Sequence, residues 1–162
     1  MADYKEIVMP RYKEIPNVGL YLEQVTKYIS DIFGPMDELN LTTSMVSNYV
    51  KKKLIPNPVK KQYDRDHIAM LIFIAVAKTV ISMEDIRVML ELREKTSEVG
   101  PAYDYFCDEF ERMLACLPGD GGSFEFEAPS RTDDAKALLR QVVTAAAFGI
   151  CLRSSFAALK EE

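Results

Sequence analysis

From Val18 onward apolar side chains recur at Leu20, Leu22, Val25, Tyr28, Ile29 and Ile32. These intervals of three and four draw one stripe along an amphipathic helix, which Gly34-Pro35 ends. After Asn40-Leu-Thr-Thr-Ser the pattern predicts a short helix from Met45 to about Lys52, with Thr42 or Thr43 as its cap. Two prolines in Leu54-Ile55-Pro56-Asn57-Pro58-Val59 forbid helix there and favour an extended or wing-like hairpin. Asp64 is placed to cap a third helix, whose apolar residues Ile68, Leu71, Ile72, Ala75 and Val76 exceed a single stripe, so burial on most sides is expected. Ser82 caps a fourth, from Met83 to Lys95, with Ile86, Met89, Leu90 and Leu92 facing inward. Pro101 opens a fifth, in which Tyr105, Phe106, Phe110, Met113, Leu114 and Leu117 recur as far as Pro118-Gly119. Gly119-Asp-Gly-Gly-Ser reads as a loop leading into Phe124-Glu-Phe-Glu, and Thr132-Asp-Asp caps a last, long helix that stays apolar from Ala135 to Leu159.

Residues 1–17, with Met9-Pro10 and Ile15-Pro16 and little periodicity, read as an arm lying on the domain. The expected fold is mainly α with one small β wing: an arm at 1–17, a helix-turn-helix portion at 18–80, and a C-terminal helical bundle portion at 81–162 packed on it.

Composition and charge change this picture in one place. The chain has 162 residues, 48% apolar and 28% charged, which fits a soluble globular protein and excludes collagen-like, mucin-like and disordered classes. Its net charge of −5 argues against a protein that coats nucleic acid. Yet residues 45–65 carry Lys51, Lys52, Lys53, Lys60, Lys61 and Arg65 against Asp64 alone. That segment is therefore +5 and the rest of the chain −10. A local cationic footprint of this kind is what phosphate-backbone contact requires, because counterion release depends on local cation density.

Most enzyme chemistry lacks its parts, and the chain is read as not an enzyme. His67 is the one histidine, which leaves no second imidazole for a metal site or a base with its orienting partner, and it is assigned a structural place in a helix first turn. The glycines of 119–122 are not followed by the lysine and hydroxyl of a phosphate-binding loop. Glu125 with Glu127, and Asp133 with Asp134, match no calcium loop and read as a solvated edge and a helix cap. Cys107, Cys116 and Cys151 are odd in number with no C-x-x-C pair, so no disulfide framework, zinc site or other cofactor is expected, and a reducing cytoplasm fits. The first residues are not a secretory signal. The longest unbroken apolar stretch, Ile68 to Ala77, is about half of what a membrane span needs.

What survives is the segment from Thr42 to Arg65. Thr43, Ser44, Ser47 and Asn48 on the short helix are expected to reach base edges or phosphates, with Tyr49 packing or bonding phosphate. Lys51, Lys52, Lys53, Lys60, Lys61, Tyr63 and Arg65 complete the candidate DNA contacts. Ser44-Met-Val-Ser-Asn-Tyr-Val-Lys-Lys-Lys-Leu-Ile-Pro, followed by Lys60-Lys-Gln-Tyr-Asp and an apolar helix, resembles the winged-helix DNA-binding domain of the mercury-resistance regulator (MerR) family. Met9-Pro-Arg-Tyr-Lys-Glu-Ile-Pro, with Leu20-Tyr-Leu-Glu-Gln-Val, is similar to a family of small uncharacterised bacterial proteins over residues 8–95.

The regulator resemblance implies a recognition helix in the major groove and a wing on the backbone. It also has departures. Ser47 stands where those regulators carry an arginine, removing a phosphate or guanine contact. Lys53 stands at their turn glycine, which predicts a different helix termination. Lys61 replaces the wing arginine, and Tyr63 matches the tyrosine after the wing. The connection from Gly34 to Leu41 is longer than a tight helix-turn-helix turn. The implied function is a DNA-binding transcriptional regulator with double-stranded DNA as partner. The last helix, more apolar than a single stripe needs, is expected to be central to the monomer and to lend an edge to a homodimer. The alternative is a helical adaptor that uses the same fold for protein contact. No residue pattern identifies an effector ligand or an operator.

Overall fold

The computed structural model describes residues 4–34, 36–116 and 135–161. Six α-helices occur among them: α1 (Leu22–Phe33), α2 (Thr43–Lys51), α3 (Arg65–Ala77), α4 (Met83–Thr96), α5 (Val99–Cys116) and α6 (Ala135–Lys160). Short 3-10 turns stand at Tyr4–Glu6, Tyr12–Glu14 and Asp37–Leu39. The fold is mainly helical, and its β structure among the described residues is two isolated antiparallel bridges, Leu20 with Tyr63 and Val59 with Gln62.

Local chemistry accounts for the helix starts. Thr42 Oγ1 accepts the Met45 N–H at 3.1 Å, Asp64 Oδ1 the His67 N–H at 2.9 Å and Ser82 Oγ the Asp85 N–H at 3.1 Å, each satisfying a donor that the first helical turn leaves unpaired. α1 starts at Leu22, later than the periodicity suggests. Gly19 turns the chain at φ 74° and Leu20 is drawn into the bridge with Tyr63, leaving Val18 79% exposed. α5 begins two residues before Pro101, which is tolerated because first-turn N–H groups need no helical acceptor.

α3 is the axis of the molecule. Ten of its thirteen residues are buried, so it has no solvent stripe, and α5 and α6 pack against it. Phe106 of α5 meets Phe73 of α3 edge to face at 5.4 Å and stacks on Phe110 at 5.9 Å. One apolar cluster runs through all six helices and takes in Tyr4, Met9 and Ile15 of the arm.

The arm is fastened by polar contacts as well. Arg11 reaches Asp108 at 2.8 Å and Glu111 at 2.9 Å, and Glu111 also accepts the Met9 N–H at 2.7 Å. Tyr103 donates its hydroxyl to Pro10 O at 2.7 Å. Tyr12 donates its N–H to Asp104 at 2.7 Å and its hydroxyl to Asp66 at 2.5 Å, so the arm joins α3 to α5.

By length and composition alone α6 could cross a membrane. Here Val142, Val143, Ala146, Ala147 and Ile150 are buried against its neighbours. Beyond Ile150 no α6 residue is buried. The predicted loop at Gly119–Gly122, the segment Phe124–Glu127, the end of the fifth helix at Leu117–Gly119 and the Thr132, Asp133 and Asp134 cap lie outside the described residues.

Candidate nucleic-acid interface

α2 buries Val46 and Tyr49, and the residues at Ser44, Ser47, Asn48 and Lys51 fall on its opposite face, at i, i+3, i+4 and i+7. Ser44, Ser47 and Lys51 are exposed, Asn48 is half-buried, and Thr43 is exposed in the first turn. The helix is about 13 Å long, close to the major-groove width of about 12 Å. Met45, 39% exposed, adds an apolar side chain that the charge pattern does not single out.

The helix terminates in a way that overturns the expectation drawn from Lys53. Leu54 donates its N–H to Tyr49 O at 2.9 Å and Lys53 donates to Val50 O at 3.0 Å, the paired bonds of a Schellman motif, with Lys53 itself left-handed at φ 59°. The lysine takes the left-handed conformation that glycine usually supplies at such a helix end. The segment after it forms a hairpin with a two-residue loop. Val59 and Gln62 exchange both backbone bonds, at 3.1 and 2.9 Å, and Lys60 and Lys61 between them stand at φ 51° and 64°. Positive φ at both central residues marks a type I′ turn, where Asn-Gly is the favoured pair. A second pair of bonds, Leu20 N–H to Tyr63 O at 2.9 Å and Tyr63 N–H to Leu20 O at 2.8 Å, ties this hairpin to the start of α1.

Lys51, Lys52, Lys53, Lys60 and Lys61 are all exposed, and none of them forms an ion pair among the described residues. Between Glu38 and Asp64 the chain has no carboxylate. The remaining predicted residues lie elsewhere. Tyr49 and Tyr63 are each 5% exposed, inside the apolar cluster, and burial raises both phenol pKa values. Arg65 donates to Ile15 O at 2.9 Å and Lys13 O at 3.2 Å with its guanidinium over the Tyr12 ring, which fastens the arm.

His67 lies under the hairpin. Its Nε2–H donates to Pro56 O at 3.0 Å, and its Nδ1 lies 2.8 Å from Asp64 Oδ1, so the imidazole holds the proline segment against the start of α3. One cation was beyond reach of sequence reasoning: Arg87 of α4 donates to Lys52 O at 2.7 Å, adding a guanidinium to the end of α2. A contact between residues 35 apart leaves no local signal.

Residues 10–106, from the arm into α5, match the family described as a domain of unknown function (DUF1836). The chain belongs to this family. No curated protein and no solved structure compared with the chain is a match. The DUF1836 match includes α2, the hairpin and the whole of α3 and α4, and stops short of α6.

Proposed function

We propose that this DUF1836 protein is a DNA-binding regulator of winged helix-turn-helix type, similar to the MerR regulators. In this reading α2 enters the major groove and the Lys60-Lys61 turn rests on backbone phosphates as a wing. The observation that carries the reading is conformational: every non-glycine residue at positive φ among the described residues is a lysine, namely Lys53, Lys60 and Lys61. Glycine or asparagine would occupy these backbone states at lower cost. Lysine at all three is accounted for by the charge it carries, a local strain retained for contact with an anion. The polar face of α2 and the carboxylate-free stretch around it support the same reading.

The reading includes two copies of the chain in the cytoplasm, joined through the far half of α6. Phe148, Leu152, Phe156 and Leu159 are there 45%, 58%, 55% and 66% exposed at intervals of four, four and three. Two-fold symmetry in the protein would then match paired half-sites on the duplex. That same apolar face favours the second reading, an adaptor whose partner is another protein.

Binding of generic duplex DNA across a salt series separates them. Affinity should fall linearly with log salt, and Lys60→Gln with Lys61→Gln should lower the slope by about 1.8, close to 0.9 for each phosphate no longer neutralised. An unchanged slope removes the wing from the interface, and no salt-dependent binding at all leaves the adaptor.

A further inference from the structure

A half-open cleft of about 820 Å³ lies among α3, α4, α5 and the start of α6, a size that suits a small organic ligand. Its wall is mostly apolar and rich in adaptable or flat side chains, with Phe73 and Phe106 meeting edge to face and Met70 and Met89 beside them. Four charged groups at the cleft decide which ligand it suits. Asp104 and Asp108 are engaged by the arm, the first accepting the Tyr12 N–H and the second paired with Arg11. Arg93 donates to the Ser97 carbonyl and has no carboxylate within ion-pair distance among the described residues. Lys136 stands with its ammonium 5.2 Å from the centre of the Tyr105 ring. Asp104 and Asp108 are thus held by the arm, while Arg93, with no carboxylate in reach among the described residues, edges an apolar, aromatic cleft.

We infer that this cleft binds an aromatic organic anion, its rings against Phe73 and Phe106 and its carboxylate or sulfonate on Arg93. Guanidinium pairs with such a group through two parallel hydrogen bonds, which a neutral analogue of the same shape cannot form. The inference is independent of DNA binding, and its test uses no nucleic acid.

The probe is anilinonaphthalene sulfonate, titrated by fluorescence into the full chain and then displaced by naphthoate or by neutral naphthyl methanol. One saturable site is expected, with naphthoate displacing at least about tenfold better than the alcohol, the advantage of a charge-assisted pair. Arg93→Gln should remove that preference while leaving the thermal midpoint and the alcohol's weak binding in place. Ala102→Trp, which fills the cleft from a half-buried lining position, should abolish the site. Leu152→Ser, on the α6 face assigned to pairing and away from the cleft lining, should leave the saturable site and its preference for the acid in place, whatever it does to pairing. Equal displacement by acid and alcohol, insensitivity to Arg93→Gln, or loss of the site with Leu152→Ser instead of Ala102→Trp would each overturn the inference, as would no saturable binding.

Discussion

Exchanging Lys60 for asparagine and Lys61 for glycine gives the hairpin the residue pair that its turn geometry favours and removes two of its charges. The two lysines stand at φ 51° and 64° between the bonded residues Val59 and Gln62, so the turn itself should persist. An L-residue held left-handed costs roughly 1–2 kcal/mol. Glycine returns about 0.5–1 kcal/mol of any relief because its unfolded chain is freer, and asparagine relieves only part of the strain. The double variant is therefore expected to gain about 1 kcal/mol, a rise in Tm of about 2–4 °C for a chain of this length. Calorimetry reads that gain, and a salt series on duplex DNA reads the release of two phosphates in the same protein. Lys60→Arg with Lys61→Arg keeps both charge and conformation and should move neither readout. A Tm equal to or below the parent's would show that the lysines are not strained. A gain in Tm with an unchanged salt slope would show that something other than phosphate binding retains them.

Gly19→Ala should cost about 1–3 kcal/mol in urea denaturation, because it forces a side chain into a left-handed position. Its Cβ would also lie 2.8 Å from Gln62 Oε1, so adding Gln62→Ala should recover part of the loss, and no loss at all would refute a rigid Leu20–Tyr63 bridge. Acidification should release the arm. Burial raises the Glu111 carboxyl, but Arg11 and the Met9 N–H lower it further, for a net downward shift. A depressed carboxylate contributes stability that is present above its unfolded value, about 4.3, and is lost as pH falls through its lower folded value. Glu111→Gln should then be less stable than the parent at neutral pH and match it in acid, and an equal gap at both would refute this assignment. Leu152→Lys with Phe156→Lys should convert a micromolar dimer to monomer in sedimentation, and a parent that is already monomeric would refute pairing through α6.

Much of the helical scaffold was legible because its determinants are local. Thr42, Asp64 and Ser82 cap the helices whose starts they mark, since the acceptor and the N–H it satisfies are three residues apart. The apolar excess of α3 announced burial on most sides before any neighbour was known. The cationic segment could likewise be read from residue order, whereas the turn falls at Lys60-Lys61, beyond both prolines. Less accessible was the start of α1, where helical periodicity at Leu20 lost to pairing with Tyr63, a partner 43 residues away.

The sequence by itself determined the helices and the basic stretch, because each depends on contacts within a few residues. Only the tertiary structure decided what those residues are available to do. It sent Tyr49 and Tyr63 into the core and Arg65 to the arm, brought Arg87 to the end of α2, and placed Arg93 and Lys136 at the edge of one cleft. Those assignments rest on burial and on hydrogen bonds between distant segments, and Lys53 shows the limit most directly. Its side chain suggested a changed helix end, but the Leu54 and Lys53 N–H bonds to Tyr49 and Val50 hold the backbone in a glycine's conformation, because closing those bonds outweighs the left-handed strain on one residue.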